Sequence, residues 1–208
     1  MHYQIALTER PGYMYAYAGM ARLAMASKDY NKAIDFYKQA ATDAVEGAFK
    51  EELASVYLLS GQKEKANELT GLLIEELNKN AQAANTDESI GHYADKELAY
   101  AYLSINNYDK ALEHAMLEYN RRPKNIEVNE TVAWVNYKKG DASKALPFIA
   151  EALKTNSKNP TLLCRAGLIY LKAGDKEKAK QLLKEGMQND PNINGLLKAE
   201  TTNAMQLL

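Results

Sequence analysis

Residues 162–192 read LLCRAGLIYLKAGDKEKAKQLLKEGMQNDPN, and residues 99–125 read AYAYLSINNYDKALEHAMLEYNRRPKN. Aligned on Ala179 and Ala111, the two stretches carry small, large apolar and turn-forming residues at the same offsets. Equivalent alanines stand at Ala33, Ala66 and Ala145, so successive copies are 33, 45, 34 and 34 residues apart. A period of this size marks a unit that cannot bury its apolar face alone and stacks on its neighbours. Function in such a chain belongs to a surface rather than to a pocket built once.

Each column has a physical role. Twelve residues before the anchor stand Ala21, Ala54, Ala99, Ala133 and Gly167, small enough for two helix backbones to approach closely. Nine before it stand Ala24, Tyr57, Tyr102, Asn136 and Tyr170, mostly large wedges for the gap between helices. Asn136 departs from that column, with Tyr137 beside it as the compensating aromatic. Three to five residues before the anchor come turn formers such as Gly61, Asn106, Gly140 and Gly174, which tolerate the left-handed backbone that closes a helix. Pro11, Pro123 and Pro191 fall where a second helix stops, because proline cannot continue a helix interior. Every unit therefore reads as helix, tight turn, helix. Glu118 stands where other units carry Ala40, Leu73, Ala152 or Gly186, which argues against a tightly buried end to that helix.

These columns resemble the tetratricopeptide repeat, whose period is about 34 residues. The resemblance runs from roughly residue 14 to residue 193. It implies an all-α fold, an α-solenoid in which antiparallel helix-turn-helix hairpins stack into a right-handed superhelix. The expected layout is a single array. Residues 1–13 end a truncated preceding repeat, repeats follow at 14–47, 47–80, 92–125, 126–159 and 160–193, and residues 194–208 form a capping helix. The long step leaves an insertion at 81–91, AQAANTDESIG, whose Ala and Gln suit extra helical turns before Asn85, Thr86 and Asp87 suit a loop. It reads either as a binding loop or as a tolerated surface insertion. Tyr3, Ala6 and Pro11 fall where a preceding unit would end, and Ile5 and Leu7 present an apolar face there. The chain is therefore expected to be a fragment of a longer protein, with its compartment left open.

Composition narrows the function. A net charge of −1 gives the whole molecule no attraction for phosphate or anionic lipid, so nucleic acid is not an expected partner. No run approaches the roughly 20 apolar residues of a spanning helix, so direct membrane insertion is not expected either. The one cysteine, Cys164, excludes an internal disulfide and reads as a structural thiol, since no histidine lies near it in sequence to act as a base. His2, His92 and His114 lack partners at metal-ligand spacing, and the turn glycines stand singly, so no metal, cofactor or catalytic site is expected. Asn129-Glu130-Thr131 fits a glycosylation acceptor but falls inside an expected helix.

In proteins of this family the first helices line a concave face that commonly receives a peptide or helix. The outer stripe of those helices here comprises Tyr15, Arg22, Glu51, Glu52, Tyr93, Lys96, Glu97, Tyr100, Glu127, Glu130, Trp134, Tyr137 and Arg165, with Lys138, Thr161 and Lys172 beside them. Tyr93, Tyr100, Trp134 and Tyr137 cluster in the third and fourth units as interface aromatics or as packing between helices. Carboxylates gather toward the middle and cations toward the end. This pattern suits a basic or amphipathic ligand, and a solvated charged face is the plainer alternative. A subset of the family clamps a terminal carboxylate. Lys96 and Arg165 match its columns here, but Tyr100, Thr131 and Thr161 do not, so that activity is not expected. The expected function is a non-catalytic scaffold for a protein or peptide partner. One alternative is an assembly module that packs on other domains of its own chain or self-associates through the truncated N-terminal end. The other is a substrate-recruiting part of a multidomain enzyme.

Overall fold

In five places the chain closes one helix and opens the next with the same geometry. A residue in the left-handed region stands five positions before each anchor alanine: Lys28, Gly61, Asn106, Gly140 and Gly174. The next amide then reaches back to the carbonyl of the large-residue column, Asp29 to Ala24, Gln62 to Tyr57, Asn107 to Tyr102, Asp141 to Asn136 and Asp175 to Tyr170, all at 2.8–3.0 Å. That bond satisfies a carbonyl which the helix end would leave orphaned. At four of the turns the same residue caps the following helix: Asp29, Asn107, Asp141 and Asp175 accept from the amides of Lys32, Lys110, Lys144 and Lys178. At +98° and +96°, Gly140 and Gly174 hold φ values that favour glycine, whereas Lys28 and Asn106 reach +60° and +61° at some cost.

The computed structural model describes residues 2–42, 49–86, 93–191 and 193–208, and no strand occurs among them. Two compact units result, Met1–Ile90 and Gly91–Leu208. The first holds α1 (His2–Glu9), α2 (Met14–Ala26), α3 (Tyr30–Thr42), α4 (Lys50–Leu59) and α5 (Lys63–Thr86). Helices α2 and α3 form one hairpin, α4 and α5 a second, and α3 packs on α4. The core of this unit is largely alanine, with Ala18, Ala21, Ala33, Ala40 and Ala66 closing around Ile34, Tyr37, Leu53, Val56 and Tyr57. Helix α5 continues through Asn85 and Thr86, where the sequence reading places a loop. The rest of the insertion, residues 87–91, lies outside the described residues, as do residues 43–47 of the expected first repeat.

The second unit holds α6 (Asp95–Ser104), α7 (Tyr108–Arg121), α8 (Ile126–Lys139), α9 (Ala142–Leu153), α10 (Pro160–Lys172), α11 (Lys176–Asn189) and α12 (Gly195–Met205). Three hairpins, α6–α7, α8–α9 and α10–α11, stack in order, and α12 closes on α10 and α11. All five anchor alanines are buried, as are Ala21, Ala54, Ala99 and Ala133 of the small column. At Gly167 an added Cβ would lie 2.5 Å from Leu183 Cγ, and at Gly186 2.6 Å from Cys164 Sγ, so α10 and α11 approach as closely as that column requires.

Glu118 corrects an expectation. The residue is only 3% exposed, and α7 continues past it to Arg121. Its two oxygens are divided between Arg121, whose Nε and Nη2 donate at 3.2 and 2.6 Å, and Arg122, whose Nε donates at 2.6 Å. Arg121 also pairs with Asp95 of α6, and Asp95 lies 2.7 Å from His114 Nδ1. The buried charge is thus neutralised within its own helix end, with a further tie to the preceding helix. Asn136 is buried and donates to Val132 O at 2.9 Å, while Tyr137 turns toward α10 and α12.

The candidate binding face

The first helices of the second unit bring most of the sequence-derived residues into one connected group. Arg165 of α10 is its centre. Arg165 Nη1 donates to the Tyr100 hydroxyl of α6 at 2.6 Å and to Glu130 Oε1 of α8 at 2.9 Å. Its guanidinium lies 5.1 Å from the ring centroids of both Tyr100 and Trp134, a cation–π sandwich. Thr131 Oγ1, whose proton goes to Glu127 O at 2.7 Å, accepts from the Tyr100 hydroxyl at 3.3 Å. Burial holds the Glu130 carboxyl above its ordinary value despite the attraction of Arg165.

A second bracket joins α8 to α12. Trp134 and Tyr137 stack with centroids 5.0 Å apart and planes at 18°. The Tyr137 hydroxyl donates to Glu200 Oε1 at 2.9 Å, and Lys138 Nζ donates to Glu200 Oε2 at 2.7 Å. Burial and the Glu200 carboxylate push the Tyr137 hydroxyl well above its ordinary value. Both brackets join first helices two hairpins apart, so side chains fix the relative placement of α6, α8, α10 and α12 as the hairpin contacts do.

Trp134 therefore does not project as an open anchor. It is 5% exposed, packed with Leu168, Leu183 and Leu197. Glu130 and Thr131 are buried too. The outward residues of this unit are Tyr93, 53% exposed with Arg121 stacked 4.3 Å over its ring, and Glu127, which accepts from Lys96 Nζ at 2.7 Å. Lys96, Glu97 and Glu127 line a cleft of about 510 Å³ with Tyr93, Glu118, Arg121 and Arg122. Thr161 is half-buried and Lys172 exposed. Of the carboxylates expected to make an acidic middle, Glu51, Glu52, Glu97, Glu127 and Glu130, three pair with cations of other helices: Glu52 with Arg22, Glu127 with Lys96 and Glu130 with Arg165.

In the first unit Tyr15 is 56% exposed, its ring edge-on to Tyr13 at 5.7 Å and to Phe49 at 5.8 Å. Phe49, at the start of α4, has φ of +63°, a strained setting for a bulky residue that places its ring against Tyr15 and Tyr37. Arg22 meets Glu52 at 3.7 Å, the arginine largely in solvent and the glutamate half-buried, and Glu51 next to it in the chain is exposed. Phe49, Arg121 and Glu200 were not singled out by the sequence reading. Only Arg121 carried a local signal, its spacing from Glu118.

Cys164 is buried beneath Gly186 and beside Thr201, and burial pushes its thiol up, which keeps it protonated and a poor nucleophile. Asn129 is enclosed, its Nδ2 donating to Pro123 O and Asn125 O, so the glycosylation triplet is not presented to a modifying enzyme. His92 lies outside the described residues. Among the described residues no three His, Cys, Asp or Glu side chains are grouped to hold a metal, and no helix is long and apolar enough to cross a membrane.

Family models described as tetratricopeptide repeat match residues 15–42 and 137–199. No curated protein sequence matches the chain. Among solved structures, a thermophilic TPR protein of Thermus thermophilus is 16% identical, with 94% of this chain and 100% of that one covered at a TM-score of 0.60. A tetratricopeptide repeat protein from Parabacteroides merdae is also 16% identical, with coverage of 98% and 90% and a TM-score of 0.51. A chain of the Cut9–Hcn1 hetero-tetramer of the APC/C aligns at 16% identity over 98% of this chain but 38% of its own length, with a TM-score of 0.53. Likeness at these identities speaks to the fold.

Proposed function

We infer, from a chain that belongs to the tetratricopeptide repeat proteins, that it is a non-catalytic scaffold receiving a basic or amphipathic peptide or helical segment on the face that the first helices line within each unit. The observation that carries this reading is the bracket of the second unit in which Tyr100, Glu130 and Trp134 close on Arg165. It orders the face before any partner arrives, so little conformational entropy is lost at the receptor on docking. The residues divide accordingly. Tyr100, Glu130, Trp134 and Arg165 hold the shape. Tyr15, Arg22, Glu51 and Glu52 in the first unit, and Tyr93, Lys96 and Glu127 in the second, are the side chains a partner touches.

Affinity capture from a lysate of the source organism tests this division. The chain is compared with Tyr15→Ala and Tyr93→Ala, which remove exposed rings and leave the cores intact. Loss of a specific partner at unchanged helicity is the expected result. Retention of every partner by both variants would move the site elsewhere. Trp134→Ala is unsuited to the purpose, since it opens the core and confuses unfolding with lost binding.

A further inference from the structure

Helix α12 is less apolar than its seat. Its buried side chains are Leu197, Thr201 and Ala204, of which only the first is large, whereas the seat offers Trp134, Tyr137, Leu168, Leu171 and Met187. The Thr201 hydroxyl is fully enclosed without an oxygen or nitrogen partner and has the Cys164 thiol beside it, a weak acceptor. The polar hold on α8 is one carboxylate, Glu200, shared by Tyr137 and Lys138. Ile193, just before the helix, gives the preceding chain a buried side chain of its own in this cluster.

We propose that α12 is a displaceable helix, and that its seat takes a partner's amphipathic helix bearing a carboxylate where Glu200 stands and an apolar β-branched residue where Thr201 stands. This goes beyond the scaffold reading above, at a seat that the partner-facing side chains named there do not line. The Tyr137 hydroxyl and the Lys138 ammonium are fixed donors that any incoming carboxylate inherits. Valine has the shape of threonine without the hydroxyl, so a helix with valine at that position fills the seat without an orphaned polar group. Covalent attachment keeps α12 at high effective concentration, and only a better-matched helix displaces it.

Hydrogen exchange on the full chain, read by mass spectrometry, tests the proposal, with a synthetic peptide of residues 194–208 carrying Thr201→Val as the probe. Glu200→Gln is expected to speed exchange of the α12 amides about tenfold, because neither the Tyr137 nor the Lys138 bond then ends on a charged oxygen, while α10 and α11 are unchanged. Thr201→Val in the chain is expected to slow it. The peptide is expected to bind the Glu200→Gln chain more tightly than the wild type, seen as added protection of α10. Exchange of α12 in step with α10 and α11 in every chain would overturn the proposal by making α12 an integral cap. Opening of α12 with no protection by the peptide would overturn the partner chemistry. Either failure leaves the scaffold reading to the Tyr15 and Tyr93 variants, which do not touch this seat.

Discussion

Glu118 is tolerated in a column of small side chains because Arg121 and Arg122, three and four residues on, lie over the same helix face. Burial alone would raise its carboxyl, but the hydrogen bonds from the two guanidiniums outweigh that and hold it below the ordinary 4.5. Because the folded value lies below the unfolded one, its stabilising contribution is present above about pH 4.5 and disappears as pH falls through the folded value. Urea unfolding of the wild type should therefore weaken on acidification below that point. Glu118→Gln should lower stability at neutral pH and show a smaller acid loss; an identical acid slope in both would show that Glu118 contributes nothing to it. The sequence held both halves of this arrangement, the misfit Glu118 and its i+3 and i+4 arginines. Sequence spacing could not show that the three side chains would close over one another. Glu200 was illegible for a different reason, since Tyr137 and Lys138 lie more than sixty residues away along the chain.

At the scale of helices and hairpins, the five turns were the most legible part of the molecule, because their geometry depends on residues within one turn of each other. The closing bonds to Ala24, Tyr57, Tyr102, Asn136 and Tyr170 follow the sequence column position by position. Glycines separate by the same logic. In α10, Gly167 meets Leu183, and Gly167→Ala should cost about 1–3 kcal/mol by overpacking. In α5, nothing lies within 4 Å of a Cβ added at Gly71, so Gly71→Ala should stabilise by about 0.5–1 kcal/mol through helix propensity. Thermal midpoints that move in the same direction for both would refute the packing account of the small column. Less legible was the faceting of α8: Trp134 follows a residue known to face its partner helix, and one step of 100° is too small to tell groove from core.

The two units differ in what fills them. Alanine dominates the interior of Met1–Ile90, while the interior of Gly91–Leu208 is built from Leu98, Val132, Val135, Ile149, Leu162, Leu163, Ile169 and Leu183. Larger apolar side chains remove more surface from water, at about 25 cal/mol per Å². In a repeat array, where stability is roughly a sum over units and their neighbours, the poorer interior opens first. Amides of α2–α5 should accordingly exchange faster than those of α8–α11, and the reverse order would show that area does not set local stability here. At this scale the repeat was legible in the sequence, and the pairing of its charges was not. Glu127 and Glu130 looked available to a ligand, yet each has a basic partner that the fold brings from another helix. Trp134 has one further consequence. It is the only tryptophan in the chain, stacked on Tyr137 and within 5.1 Å of the Lys138 and Arg165 cations. Intrinsic indole fluorescence is therefore a reporter of the second unit's own packing, its colour set by the stacked phenol ring and by any shift in those cations.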